Sequence, residues 1–379
     1  MKKILAIFLA FVCVLSLAAC GNKEPMEGKK NEDSSSPEIH QESTEKNEEA
    51  RVIIDGSGRK VELPEKIDGA VCVGVGALRY ASYVGAADRM VGVEDYEKEQ
   101  SLSRLYNFVN YDSFKDLPAI GTNGEPFVEE IIKAKPQVII LSAFAKQDPD
   151  DLAKKTNIPV VQVPGSDTTL DEKAFETIRI LGQVFAQEKR ADELTEYLKG
   201  IQKDLDQRTG SIPEEKKPSC YVGGVSFKGQ HGFEGTEAKY GPFELIHAKN
   251  LANQSKEEGA FNIDLEQVLT WDPDFIFLDF NGMDLITKDV ESQPDYYQAF
   301  TAVKEGRVFS QISFRSYASN LETALADAYF GGKMMFPEEF KDIDVEEKTG
   351  EIFTQLLGSN PYPNLKEAGY EFRPIQLGK

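Results

Sequence analysis

The sequence predicts an α/β protein built as two Rossmann-like lobes joined by one long rigid helix, with a ligand cleft between the lobes. Three observations carry this. Apolar strand-like runs alternate with helical patterns in two separate blocks. A single stretch of helical periodicity lies between the blocks. One local unit occurs in each block: "VEEIIKAKPQVIIL" (128–141) and "LEQVLTWDPDFIFL" (265–278) place Glu129 opposite Glu266, Ile132 opposite Leu269 and Pro136 opposite Pro273. An acidic residue seven before a proline, followed by a five-residue apolar run, is thus written twice.

Taken in order, the first block opens at "RVIIDGSGRKVELP", where two alternating runs flank Gly56-Ser57-Gly58 and signal a hairpin. "AVCVGV" reads as a strand, "ALRYASYVG" as a short helix and "MVGVE" as a strand. "PFVEEIIKAK" follows as a helix, then "QVIIL" and "IPVVQVP" as strands. Apolar strands alternating with helices argue for a parallel sheet covered on both faces. This block is the first lobe, 51–170.

From 171 to 208, Phe175, Ile178, Leu181, Val184, Leu194, Leu198 and Leu205 recur at helical spacing without a proline, although Gly182 and Gly200 are weak points. One continuous helix of this length extends about 55 Å, enough to cross from lobe to lobe. After "GSIPEEKKP" the alternation restarts as the second lobe and tail, 209–379. "SCYVGGV" is a strand, "GPFELIHAKN" and "IDLEQVLTW" are helices, "DFIFLDF" and "RVFSQIS" are strands. "NLETALADAYFGGKMMF" is a helix stopped by Pro337.

The chain begins with "MKK" and an apolar run of 15 residues ending in Leu17-Ala18-Ala19-Cys20. That run is short for a membrane span and suits a signal peptide, 1–19. Its end resembles the lipobox of bacterial lipoproteins, which implies cleavage before Cys20 and diacylglycerol on its thiol. Residues 20–50 carry almost no apolar side chains, so they are expected to form a disordered acidic tether. With 43 basic and 64 acidic residues the formal charge is −21, which disfavours nucleic acid and anionic lipid surfaces as partners. Membrane association is then expected through the lipid alone, at the extracytoplasmic face of the bacterial cell membrane. Cys72 and Cys220 each sit in an apolar strand, as buried small hydrophobes rather than a disulfide or metal pair.

The lipobox, the acidic tether, the two lobes, the "E-x6-P" repeat and the closing "NLETALADAYFGGKMMFPEEFKDID" together resemble the class III substrate-binding lipoproteins of ABC importers, which serve iron–siderophore, haem and cobalamin uptake. The resemblance covers about residues 51–358. It implies a monomeric receptor that is not an enzyme, holds no cofactor of its own, captures a chelated iron complex (haem or cobalamin being alternatives) and delivers it to an ABC permease dimer. It also implies that one glutamate on the rim of each lobe docks onto the permease, mapping to Glu129 and Glu266. A ligand-presenting sensor or adaptor, and a surface enzyme on the same scaffold, are the other readings.

Ligands of parallel α/β sheets gather beyond the carboxyl ends of the strands. Those ends contain Arg79, Phe144, Lys146, Phe227, Lys228, His231, Asn281, Arg315 and Tyr317. Cations and aromatics converging on one cleft suit a bulky anionic ligand with flat apolar parts. Arg79 and Arg315 are expected to clamp it from opposite lobes. "GVGALR" breaks the dinucleotide fingerprint at its third glycine position, and "GVSFKG" is no nucleophile elbow. Three histidines are too few for a bare zinc or manganese site, so no protein-held metal is expected. His231 and Tyr317 are the candidates should haem iron need a ligand.

Overall fold

Two four-stranded parallel sheets share one strand order. The computed structural model describes residues 51–166 and 168–377; the predicted signal peptide, Cys20 and the whole tether lie outside the described residues. In the first sheet the neighbours run Met90–Gly92, Ala70–Val73, Val138–Ser142, Val160–Val163. In the second they run Lys249–Asn250, Ser219–Gly223, Phe275–Asp279, Val308–Gln311. Numbered along the chain within each sheet, both read 2-1-3-4. Strands such as Ala70–Val73 and Val138–Ser142 are buried at every position, as expected where helices cover both faces.

The repeated unit performs the same task in both lobes. Helices Val128–Ala134 and Leu265–Trp271 each span two turns and end on a left-handed residue, Lys135 at φ 52° and Asp272 at φ 40°. Pro136 and Pro273 then forbid further helix, and the next run enters the sheet as its third strand. The hairpin Arg51–Ile54/Lys60–Leu63 forms as the glycine signal predicts.

The connecting helix is present but not continuous, which corrects the single 171–208 helix. Glu172–Phe185 ends at Ala186, φ 50°, and Glu188–Thr209 starts afresh. The Gln187 N–H donates to the Gly182 carbonyl at 2.8 Å, a reversal that satisfies end carbonyls of the first helix. The second helix leans back on the first instead of extending it: a Cβ on Gly182 would lie 2.6 Å from the Ala191 methyl. Both helices feed one apolar core that also holds Cys72 of the first sheet and Val222 and Phe277 of the second. Cys72 and Cys220 are buried and free.

Helix Leu321–Met335 buries thirteen of its fifteen residues. The final segment then closes the second sheet. Ile375 N–H donates to the Val308 carbonyl at 2.9 Å, and Ser310 N–H to Arg373 at 3.0 Å. This covers the edge of strand Val308–Gln311, which would otherwise present unpaired backbone groups. Ile375 and Leu377 insert beside Ile276, Leu278 and Val308. Among the described residues, no helix is long and apolar enough to cross a membrane. An Ile375→Ala variant is expected to lose about 2–4 kcal/mol of stability by urea denaturation; a loss below about 0.5 kcal/mol would show that the segment does not belong to the core.

Candidate functional site

In the 2-1-3-4 order the loops after strands 1 and 3 leave the sheet in opposite directions, opening a crevice at their carboxyl ends. In this chain the two crevices face each other. Ser103 Oγ of the first lobe donates to Asn281 Oδ1 of the second at 3.1 Å. Two cavities lie here, a front one of about 810 Å³ and a rear one of about 820 Å³. Gly259 and Arg315 line both.

The front cavity runs against the overall charge of the chain. Arg104, Lys228 and Arg315 contribute to its lining, and no carboxylate does, although the chain carries a formal charge of −21. Ser101, Ser103, Ser226 and Ser316 add hydroxyls, and Phe227 and Tyr317 add rings. Two donors are buried without a protein partner, Arg104 Nε and Ser226 Oγ. A buried donor left unsatisfied is costly. Arg104 is held by its Nη2, which donates to the Tyr96 and Glu99 carbonyls at 2.9 and 3.1 Å.

Arg315 is not a bare charge. Its Nε donates to Glu237 Oε2 at 3.0 Å, its Nη2 donates to Oε1 of the same carboxylate, and its Nη1 donates to Ser319 Oγ at 3.0 Å. Glu237 is buried in the wall of the rear cavity. The pair therefore divides the two spaces, with the bidentate geometry that favours guanidinium over ammonium.

Of the residues expected at the ligand, Phe227, Lys228, Asn281, Arg315 and Tyr317 line the front cavity. His231 stands behind it: its ring stacks on Phe227 at 3.9 Å, and its Nε2 lies 2.9 Å from the Phe227 carbonyl. Phe144 lines neither cavity; it is 44% exposed, against Gly165. Lys146 is exposed.

Arg79 requires a correction. It is only 1% exposed, and its guanidinium meets protein rather than open cleft. Nε donates to Asn320 Oδ1 at 2.9 Å, Nη1 to the Ser319 carbonyl at 3.1 Å, and Nη2 to the Ser316 and Tyr317 carbonyls at 2.8 and 2.5 Å. The glycines before it explain the broken fingerprint. Gly74 (φ 89°) and Gly76 (φ 86°) turn the strand into helix Ala77–Tyr83, in a backbone region costly for other residues. Gly74 N–H also donates to Glu94 Oε2 at 3.0 Å.

Arg104 and Ser226 carry no signal in the sequence that marks them as site residues. Arg104 follows its strand by a dozen residues, too far to count as a strand end. Ser226 sits in "GVSFKG", where the sequence pattern invites a nucleophile reading and not a binding one. Among the described residues, no group of three or more His, Cys, Asp or Glu is placed to hold a metal ion. Glu129 and Glu266 are exposed in the first turns of the two repeated helices. Glu130, beside Glu129, is drawn to Lys133 at 2.6 Å.

With this geometry in view, the chain can be set beside known proteins. Residues 71–311 match the periplasmic binding protein family. The chain belongs to that family. It is similar to the molybdate-binding protein MolA of Haemophilus influenzae, 23% identical over 83% of this chain and 93% of that one. It is also similar to the Fe(3+)-citrate-binding protein YfmC of Bacillus subtilis, 23% identical over 81% and 89%. Among solved structures, a periplasmic solute binding protein from Veillonella parvula superposes with a TM-score of 0.66 at 19% identity, covering 82% of this chain and 94% of that chain. The two-lobed α/β fold is thereby shared.

The floor of the cleft holds a buried acid. Asp279 Oδ1 accepts from the Asn281 N–H at 2.9 Å and from the Ser313 hydroxyl. Burial pushes its pKa up to about 7, against the lowering effect of those two donors. The folded state then holds a proton that the unfolded chain releases near pH 4. This contribution to stability is full below about pH 4 and is lost as pH rises to about 7, by at most about 1.4 kcal/mol per unit. Urea denaturation of Asp279→Asn between pH 4.5 and 6.5 is expected to show a shallower decline than the parent; identical slopes would place the titration elsewhere.

Proposed function

We propose that this protein is the extracytoplasmic substrate-binding lipoprotein of an ABC importer, capturing an anionic iron chelate of the siderophore or citrate type between its lobes. The observation that carries this is the front cavity: Arg104, Lys228 and Arg315 in its lining, the last paired with Glu237 behind the wall, and no carboxylate among the described lining residues of a strongly acidic chain. Such a site favours carboxylate, catecholate or hydroxamate oxygens. Its volume of about 810 Å³ suits a ligand of drug size, so a chelate fits it better than a bare oxyanion. A relative that binds Fe(3+)-citrate and another that binds petrobactin support the same class. Against haem, His231 is engaged by the Phe227 carbonyl and the Tyr317 hydroxyl donates to Asn123.

Arg104 and Arg315 are the principal ligand contacts in this reading, and Ser226 supplies a hydroxyl. Native mass spectrometry and visible absorption of the purified protein are expected to reveal an iron chelate; a haem or corrinoid spectrum would overturn the assignment. In titrations with ferric citrate followed by Trp271 fluorescence, Arg104→Ala and Arg315→Ala are each expected to weaken binding by roughly ten- to hundredfold, the usual worth of a charge-assisted contact. Parent-like binding by both would place the ligand elsewhere.

Delivery depends on anchoring and docking. Cys20 carries the lipid, and Glu129 and Glu266 engage basic pockets of the permease dimer from the two lobe rims, so that two weak contacts act together. In cells, Cys20→Ala is expected to release the protein from the membrane fraction. The Glu129→Lys/Glu266→Lys double variant is expected to stay anchored, bind ligand within about twofold of the parent and lose uptake, since rim charges act mainly on encounter with a partner. Retained uptake would exclude the docking role.

A further inference from the structure

The loop from Arg315 to Asn320 leaves the second lobe and is held chiefly by the first. Arg315 and Ser319 form a short antiparallel bridge, and the tip between them carries Tyr317 at φ 58° and Ala318 at φ 64°. Two successive non-glycine residues in the left-handed region do not hold that shape unaided. At the tip, the Tyr317 ring packs 3.6 Å from Tyr96, and its hydroxyl donates to Asn123. At the base, the buried Arg79 guanidinium gathers the carbonyls of Ser316, Tyr317 and Ser319 and the side-chain oxygen of Asn320. Tyr96, Asn123 and Arg79 all belong to the first lobe, about 190 to 240 residues away in sequence, whereas Arg315 and Tyr317 present themselves to the front cavity.

The geometry points to Arg79 as a positioning residue. It touches no ligand, but it holds this strap in the strained turn that sets Arg315 and Tyr317 in the cavity wall. A planar fork of donors satisfies four oxygens that the turn brings together, and a single ammonium cannot reproduce that arrangement. The inference rests on the front cavity being the ligand site, and its test separates the two ideas.

Hydrogen exchange of the ligand-free full-length protein is the deciding measurement, because it reports local opening. In Arg79→Met, amides of 314–320 are expected to exchange at least tenfold faster, while those of strand Val138–Ser142 keep their parent rates. Arg79→Lys is expected to recover only part of the protection, and it serves as the test should Arg79→Met not fold. Unchanged strap protection in a folded variant overturns the proposal, as does equal loosening of strap and strand. A ferric citrate titration supplies the functional arm. Arg79→Met is expected to weaken binding about tenfold alone, yet by less than twofold in an Arg315→Ala background, because both changes remove the same contact. Additive losses would mean that Arg79 acts by another route and would overturn it. Failure of the parent to bind ferric citrate would sink the ligand reading alone and leave the exchange result to decide the strap.

Discussion

A buried guanidinium that spends its donors on a loop from the opposite lobe is the constraint on which the cleft depends. Arg79 donates to four oxygens of residues 316–320, and its charge lies 5.0 Å from the Tyr106 ring centroid. One turn further along the same helix, the Tyr83 hydroxyl donates to the buried Glu322 and accepts from the Leu321 N–H at 3.2 Å. Hydrogen bonds from a charged donor contribute about 1.5–3 kcal/mol each, and separating the lobes here would strand both the cation and its carbonyls. The lobes are thus joined by polar contacts at the mouth as well as by the apolar core around the connecting helices.

That junction frees other groups for a ligand. Had Arg79 been the cation at the cleft, the turn at Tyr317 and Ala318 would lack its anchor. Because it is withdrawn, the front cavity relies on Arg104, Lys228 and Arg315. Each is conditioned differently: Arg104 by two backbone carbonyls, Arg315 by Glu237, Lys228 by little beyond solvent. In an acidic protein, cations gathered in a cavity with low-dielectric walls set up a local field opposite to that of the surrounding surface.

The two lobes show how much a duplicated architecture leaves unsaid. Their sheets share one strand order, and their third strands are introduced by the same helix–proline unit. Both first strands leave the sheet through a left-handed glycine, Gly74 at φ 89° and Gly224 at φ 84°, but the loops then diverge: the first lobe turns through Gly76 to bury an arginine, and the second extends through "VSFKG" into the cavity wall. Function lies in those loops, on a scaffold that is otherwise repeated.

What the sequence determined by itself was what local period encodes: the hairpin, the strands of both sheets except Lys249–Asn250, which a helical reading of 241–250 hides because the helix there stops at Leu245, the repeated helix–proline–strand unit, the buried free cysteines, the stop of the last long helix before Pro337. Alternation and helical spacing act over a few residues, so they can be read without knowing what packs where. Strand ends also located most of the cavity wall, including Phe227, Asn281, Arg315 and Tyr317. Tertiary structure decided the rest. The break at Ala186 has no local signal, because a left-handed alanine is tolerated only when a neighbouring helix, here at Ala191, rewards the turn. Arg79 and Arg104 look alike in a sequence, each a lone arginine at the start of a helix. One is buried because its acceptors arrive from about 240 residues away, and the other borders the cavity because its own loop holds it there.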